Sequence, residues 1–410
     1  MSWPTVPLDR CIASIRAGVS ISGENRTPRE GEVGILTLSA VSEGRFAPEK
    51  CKAVPAEAAT ALGDFVKAGT LLMSRSNTID LVGSTALIEE DHPDRFLPDL
   101  LWEIRLREDS PLLATVLVDY LATDEGRALL RSAAMGTSGS MKKLSMGRVR
   151  ALEVPEMPAN LQRTWGKVRR VIEARACLVT RQIAAKRALK RGLVQQMLTA
   201  RQRFPEFSAR ERRWRVLGEV ASRVTSTWTA GDAGDTARCV ELEHIESETG
   251  RLLGESVATN VSSTKTPFSR GDVLLGKLRP YLRKFAAPAF GGVCSTEIWV
   301  LRADEAVVIP SYLHLLVQTD AVQNAMHITS GSKMPRADWD LVADSAVWVP
   351  EIDEQLRITS LFDVLDRDLA LLERARQVGD SQKRALMQSL LSGELNTTAG
   401  SMPRLEAAHA

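Results

Sequence analysis

The sequence predicts an α+β protein built as an internal duplication: two mixed α/β domains separated by two long helices that pack as a coiled coil. Three observations carry this. A narrow apolar stripe runs through residues 161–207, a second runs from position 358 onward, and the basic sequence that closes the first stripe recurs near the other end of the chain.

In the first stripe, apolar or small residues fall at Leu161, Trp165, Val168, Ile172, Ala176, Val179 and Ile183, the alternating four-three step of a helical seam. The stripe resumes at Leu189, Leu193, Met197 and Leu198. The spacing predicts a helix of about 40 residues, roughly 60 Å long at 1.5 Å per residue. Helices in compact domains average about 11–12 residues, so this one should be a spacer or arm. Ile358, Phe362, Leu365, Leu369 and Leu372 repeat the step. Packing is expected through Trp165, Ile172, Val179, Leu193 and Met197 on the first helix. On the second it is expected through Phe362, Leu365, Leu369, Leu372, Leu386 and Leu390.

The two helices close alike. Lys190-Arg191-Gly192-Leu193-Val194-Gln195 matches Lys383-Arg384-Ala385-Leu386-Met387-Gln388 at a constant offset of 193 positions. Ala200 stands where the second copy has Gly393. The match extends upstream, and a repeat of this length decides the fold. Val154-Pro155-Glu156 answers Val349-Pro350-Glu351, Thr137-Ser138-Gly139-Ser140 answers Thr329-Ser330-Gly331-Ser332, and Phe65 to Leu72 answers Phe268 to Leu275. The order is the same in both halves.

This gives five segments: a first domain over 1–157, a helical spacer over 158–207, a second domain over 208–350, a second helix over 351–397, and a disordered tail over 398–410. In the first domain, β-rich runs at 34–38, 70–73 and 100–106 precede a helix over about 112–132. In the second, a segment at 214–220 leads to strands near 239–245, 272–278 and 297–301 and a helix over about 311–326. Strands and helices do not alternate one for one, which argues against a doubly wound sheet.

The 410 residues are 44% hydrophobic and 25% charged with a net charge of +2, an ordinary soluble composition. Nucleic-acid binding must therefore come from local patches rather than from a global field. The five cysteines are far apart and the five histidines form no cluster, so a reduced, metal-free, cytoplasmic chain is expected. No run of 18 apolar residues and no signal-peptide core is present, so no membrane is expected.

Gly271 to Lys277 fits seven positions of a P-loop, but Leu278 stands where a Ser or Thr is required and the middle residues read as a strand. No GxSxG, HExxH or GxGxxG motif and no Asn/Asp-Pro-Pro motif is found, so no catalysis and no cofactor are expected. Candidates for DNA contact are Lys277, Arg279, Tyr281, Arg283 and Lys284, with Arg75 and Asn77 as first-half counterparts. The loop candidates are Ser138, Ser140, Lys142 and Lys143, with Ser330, Ser332, Lys333 and Arg336 as theirs. Such donors contact phosphates or guanine edges; plain solvated charge is the alternative for each. The basic run from Lys186 to Arg215 (Lys186, Arg187, Lys190, Arg191, Arg201, Arg203, Arg210, Arg212, Arg213, Arg215) is either a solvated face or a docking stretch.

Two variable domains alternating with two long helices that each close in Lys-Arg-x-Leu-x-Gln-x-x-Leu resemble the specificity subunit of Type I restriction-modification systems. The most specific parts are 190–199, Arg203-Phe204-Pro205-Glu206-Phe207, and Leu386 to Gly393. The resemblance implies two target-recognition domains that each read half of a split double-stranded DNA site, and helices packed antiparallel as a spacer. It also implies docking of two modification subunits that methylate adenine at N6, joined by an ATP-dependent restriction subunit. Against this stand two other classes, a P-loop-like nucleotide hydrolase and a purely structural coiled-coil scaffold.

Overall fold

The computed structural model describes residues 3–42, 44–136, 141–228, 236–259, 264–330 and 334–393. The tail over 398–410 lies outside them. The chain divides into one unit of Met1–Leu178 with Ala375–Ala410 and another of Val179–Arg374, so each long helix contributes to both.

The first unit holds two four-stranded sheets. One runs Thr85–Leu87, Leu71–Ser74, Leu101–Leu106, Ile12–Ala17, all antiparallel. The other runs Cys51–Pro55, Glu32–Leu36, His92–Phe96, Phe65–Val66, with Glu32–Leu36 and His92–Phe96 parallel. Leu71–Ser74 is buried at every position, which explains why it reads as an unbroken apolar run rather than an alternating one. Thr5–Pro7 pairs with Glu153–Pro155 and brings the two ends of the domain together.

The second unit repeats this plan strand for strand. Its antiparallel sheet runs Phe285–Ala286, Val273–Gly276, Ile298–Ala303, Ala221–Arg223. Its mixed sheet runs Ser256–Thr259, Thr236–Val240, Gly292–Ser295, Lys265–Phe268, again with one parallel pair in the middle. Trp214–Val216 pairs with Ala346–Trp348, matching the closing pair of the first unit. The fold is therefore α+β and internally duplicated.

The registers correct one detail of the sequence alignment. Pro155 lies opposite Thr5 and Trp348 opposite Trp214, so Val154 corresponds to Val347 rather than to Val349. An offset of 193 then holds from this strand through the end of each long helix, from Pro155 with Trp348 to Ala200 with Gly393.

Each of the two domain helices expected from the sequence is a pair. Ala114–Leu121 is followed by Asp124–Ala133, and Pro310–Leu316 by Asp320–His327. In the first unit the break is enforced at Thr123, whose hydroxyl caps Gly126 N at 3.2 Å. A side chain at Gly126 would meet the Tyr120 carbonyl at 2.2 Å, so the third position of the second helix is confined to glycine.

The long helices run Ala159–Met197 and Ile352–Leu391. At the start of each a buried glutamine ties helix to domain in the same way. Gln162 Oε1 accepts from Leu113 N at 2.8 Å while its Nε2 donates to the Pro111 and Met157 carbonyls, both at 2.7 Å. Gln355 Oε1 accepts from Ile309 N at 2.9 Å and its Nε2 donates to the Val307 and Pro350 carbonyls, both at 2.8 Å. Three backbone groups that the irregular junction would leave unpaired are thus satisfied in each copy.

Within each unit the two helices run antiparallel. In the second, Lys186 pairs with Asp368 and Lys190 Nζ lies 2.6 Å from Asp366 Oδ1, so positions rise on one helix as they fall on the other. In the first, Lys383 Nζ lies 2.7 Å from Glu173 Oε1. This is the Lys190–Asp366 pair with the helices exchanged, since Lys383 and Asp366 each stand 193 positions after Lys190 and Glu173.

Trp165 is buried with Met387 and Leu390, and Phe362 is buried with Val194, Met197 and Leu198. Leu369 is buried, while Ile172, Val179, Leu193, Leu365 and Leu372 are partly so. Two positions differ from the expected stripe. Leu189 is exposed, and its place is taken by the ion-paired Lys190; Leu386 is 37% exposed where Met387 is 1%. The seam drifts by one residue because a straight helix turns past a strict four-three repeat. The first helix ends with Ala200 in the left-handed conformation at φ 54°, where the second has Gly393 at φ 74°; alanine there costs about 1 kcal/mol. Gly379 leaves the second helix unbroken.

Candidate nucleic-acid interface

Strand pairing brings the sequence-distant candidates together in each unit. In the first, Ser76–Asn77 pairs with Lys142–Lys143, and Leu144 N donates to the Arg75 carbonyl at 2.8 Å. In the second, Leu278 bridges Arg336, and Ala337 N donates to the Lys277 carbonyl at 3.0 Å. The frame behind them also matches: Arg75 N donates to the Leu100 carbonyl and Lys277 N to the Glu297 carbonyl, both at 3.0 Å. Each unit therefore presents a cation-bearing edge built from the end of its central strand and the segment before its last strand.

On the first edge Arg75 is partly buried and Lys143 exposed; on the second Lys277 is partly buried and Arg279 exposed. Lys142 Nζ is turned inward to the Gly136 carbonyl at 2.5 Å, and Asn77 Oδ1 accepts from Thr78 N at 2.9 Å. Arg279 and Arg283 flank the short turn Pro280–Leu282 and both adopt the left-handed conformation, at φ 50° and 46°. This turn holds Tyr281 in solvent. Non-glycine residues in that region store strain that the surrounding structure must impose.

Several candidates are used elsewhere. Lys284 Nζ donates to the Leu242 carbonyl at 2.6 Å, and burial pulls its amine below the ordinary lysine range. Arg283 turns to the Gln318 carbonyl at 3.3 Å and lines a cleft of about 550 Å³ with Arg187, Lys190 and His314. Ser138, Ser140, Ser332 and Lys333 lie outside the described residues, as does the side chain of Ser330. Much of the basic run 186–215 is neutralised by the second long helix. Arg187 pairs with Glu373 at 2.6 Å, Arg203 with Glu354 at 2.6 Å and Arg210 with Asp353 at 2.7 Å, besides the two lysine pairs above. These cations lock helices and junctions, while Arg191, Arg201, Arg212, Arg213 and Arg215 remain exposed.

The P-loop reading does not survive the geometry of Gly271 to Lys277. Val273–Gly276 is a buried strand paired on both sides, so its N–H groups cannot cradle a phosphate. The residue missed from the sequence is Glu297. Its carboxylate takes Arg336 through Nε at 2.9 Å and Nη2 at 2.8 Å, and this bond holds the Glu297 carboxyl below the usual carboxylate range.

A search with protein-family models finds no match. A curated relative, the Type I restriction enzyme EcoDI specificity subunit of Escherichia coli, is 26% identical over 184 residues, covering 44% of this chain and 40% of that one. The chain resembles Type I specificity subunits. The likeness spans less than half of that relative's length. Among solved structures, the Type-I restriction-modification system S subunit from M. genitalium is 13% identical, covers 95% of this chain and 96% of its own, and has a TM-score of 0.47. A chain from the type I R-M system, solved for complex assembly and conformational transition, is 16% identical over 95% and 97% with the same TM-score of 0.47. Among the described residues no helix is long and apolar enough to cross a membrane, and all five cysteines are free.

Proposed function

We propose that the chain is the sequence-recognition subunit of a Type I restriction-modification complex in the cytoplasm. Each domain reads one half of a bipartite duplex-DNA site, and the long helices set the gap between the halves. One observation carries the reading: the cation-bearing edge is built twice, from equivalent backbone bonds, at the ends of equivalent strands. Two copies of one reading device suit a divided target. A coiled-coil scaffold has no need of them.

The same helices dock two modification subunits in this reading, and a restriction subunit joins the assembly. Val171 and Leu178 are exposed on the first helix, and Val364 and Leu371, 193 positions later, are exposed on the second. Each pair stands seven residues apart and so shares one helix face, and a face built twice suits two copies of one partner. The modification subunits supply adenine-N6 methylation and the restriction subunit ATP-dependent cleavage, while this chain supplies the address.

Spacing is the sharpest test of the helices' part. Inserting one heptad into each helix, after Leu178 and after Arg374, keeps both seams in phase and adds roughly 10 Å. At about 3.4 Å per base pair the preferred gap should grow by up to roughly three base pairs with both half-site sequences unchanged. Selection from randomised duplex DNA reads this directly; an unchanged gap at unchanged affinity means that the helices are not the ruler.

A further inference from the structure

Arg336 is fixed at both ends. Its backbone is bridged to Leu278 and flanked by bonds from Arg279 N to the Pro335 carbonyl at 2.8 Å and from Ala337 N to the Lys277 carbonyl at 3.0 Å. Its guanidinium is held by the Glu297 carboxylate, which occupies the edge made by Nε and Nη2. A guanidinium carries five N–H donors in a plane, so the outer edge, Nη1 with the second hydrogen of Nη2, is left as a two-donor fork. That is the geometry that pairs with O6 and N7 of guanine in the major groove. An arginine already immobilised loses less side-chain freedom on binding.

The neighbouring carboxylate decides between the two classes of DNA contact. A phosphate placed on the fork would bring its negative charge close to Glu297, whereas a base edge brings only neutral acceptors. The first unit lacks the device. Lys143 stands at the position of Arg336 and Leu100 at that of Glu297, as the matching backbone bonds show, and a lysine is a point charge with no fork.

We propose that Arg336, braced by Glu297, reads a guanine in the half-site of the second domain, and that Glu297 is the positioning residue for that preference. This rests on the DNA-recognition reading above. The test is selection from randomised duplex DNA by the full chain, alone and with its modification subunits, for the native protein, Arg336→Lys and Glu297→Gln. The native protein should show one guanine-specific position in the second half-site. Arg336→Lys should lose at least about tenfold of the preference at that position alone. Glu297→Gln should weaken the same preference while affinity for random DNA stays equal or rises. If both variants keep the native preference, or if Glu297→Gln only raises affinity, Glu297 merely masks the arginine and the proposal fails. A native protein with no sequence preference at all would instead defeat the recognition reading itself.

Discussion

Asp119→Ala should destabilise the first unit by roughly 3–5 kcal/mol, because it strips the common acceptor from a buried cluster. Asp119 Oδ1 lies 2.6 Å from Lys383 Nζ, and its Oδ2 lies 3.0 Å from Arg169 Nε and accepts from Trp165 Nε1 at 2.9 Å. All four side chains are buried. Removing the carboxylate leaves two buried cations and an indole N–H without the group they share. Glu173 and Glu89 still touch Lys383 and Arg169, which keeps the loss from being larger. Urea unfolding followed by tryptophan fluorescence measures it. A change below about 1 kcal/mol would show the cluster to be far wetter than its geometry implies.

Leu369→Asp should cost roughly 1–3 kcal/mol, whereas Leu371→Asp should be near neutral for folding. Leu369 is buried in the helical seam of the second unit, and the nearby carboxylates Asp366 and Glu373 are already committed to Lys190 and Arg187. A new carboxylate there gives up the packing of the leucine in the seam and adds charge beside Asp366 and Glu373, in the wall of the cleft that Arg187, Lys190 and Arg283 also line. Leu371, two positions on, is 66% exposed, so the same substitution meets water. Thermal melts of the two variants separate a buried seam from an exposed face. Equal melting temperatures would remove the seam from the account. In the proposed assembly Leu371→Asp should instead weaken capture of the modification subunits.

What the sequence showed of this fold is what periodicity can show. The seam residues from Trp165 to Ile183 and from Ile358 to Leu372 were legible because apolar side chains at helical spacing have few other places to go. The charged groups of the same seam were not. Lys190, Lys383, Arg169 and Asp119 are residue types that are nearly always solvated, and only the packing reveals that they are paired in the interior. Gln162 and Gln355 were missed for the same reason, although identical residues 193 positions apart, each just inside a predicted helix, were a signal available in the duplication. On the candidate interface, basic letters point to Lys277, Arg279 and Arg336 but not to Glu297, because an acidic residue enters such a site only through the arginine it holds. Lys284 and Arg283 turn back to carbonyls, which a run of basic letters does not tell.

The central claim is that two separate reading heads recognise two half-sites. Residues 212–350 can be exchanged as a block, because Trp214–Val216 and Ala346–Trp348 pair with each other and close the domain on itself. The measurement is the preferred duplex sequence of a chimera that carries the equivalent segment of another specificity subunit. The first half-site should be retained unchanged and the second replaced by that of the donor. Loss or alteration of both halves together would contradict the account and point to a single composite site.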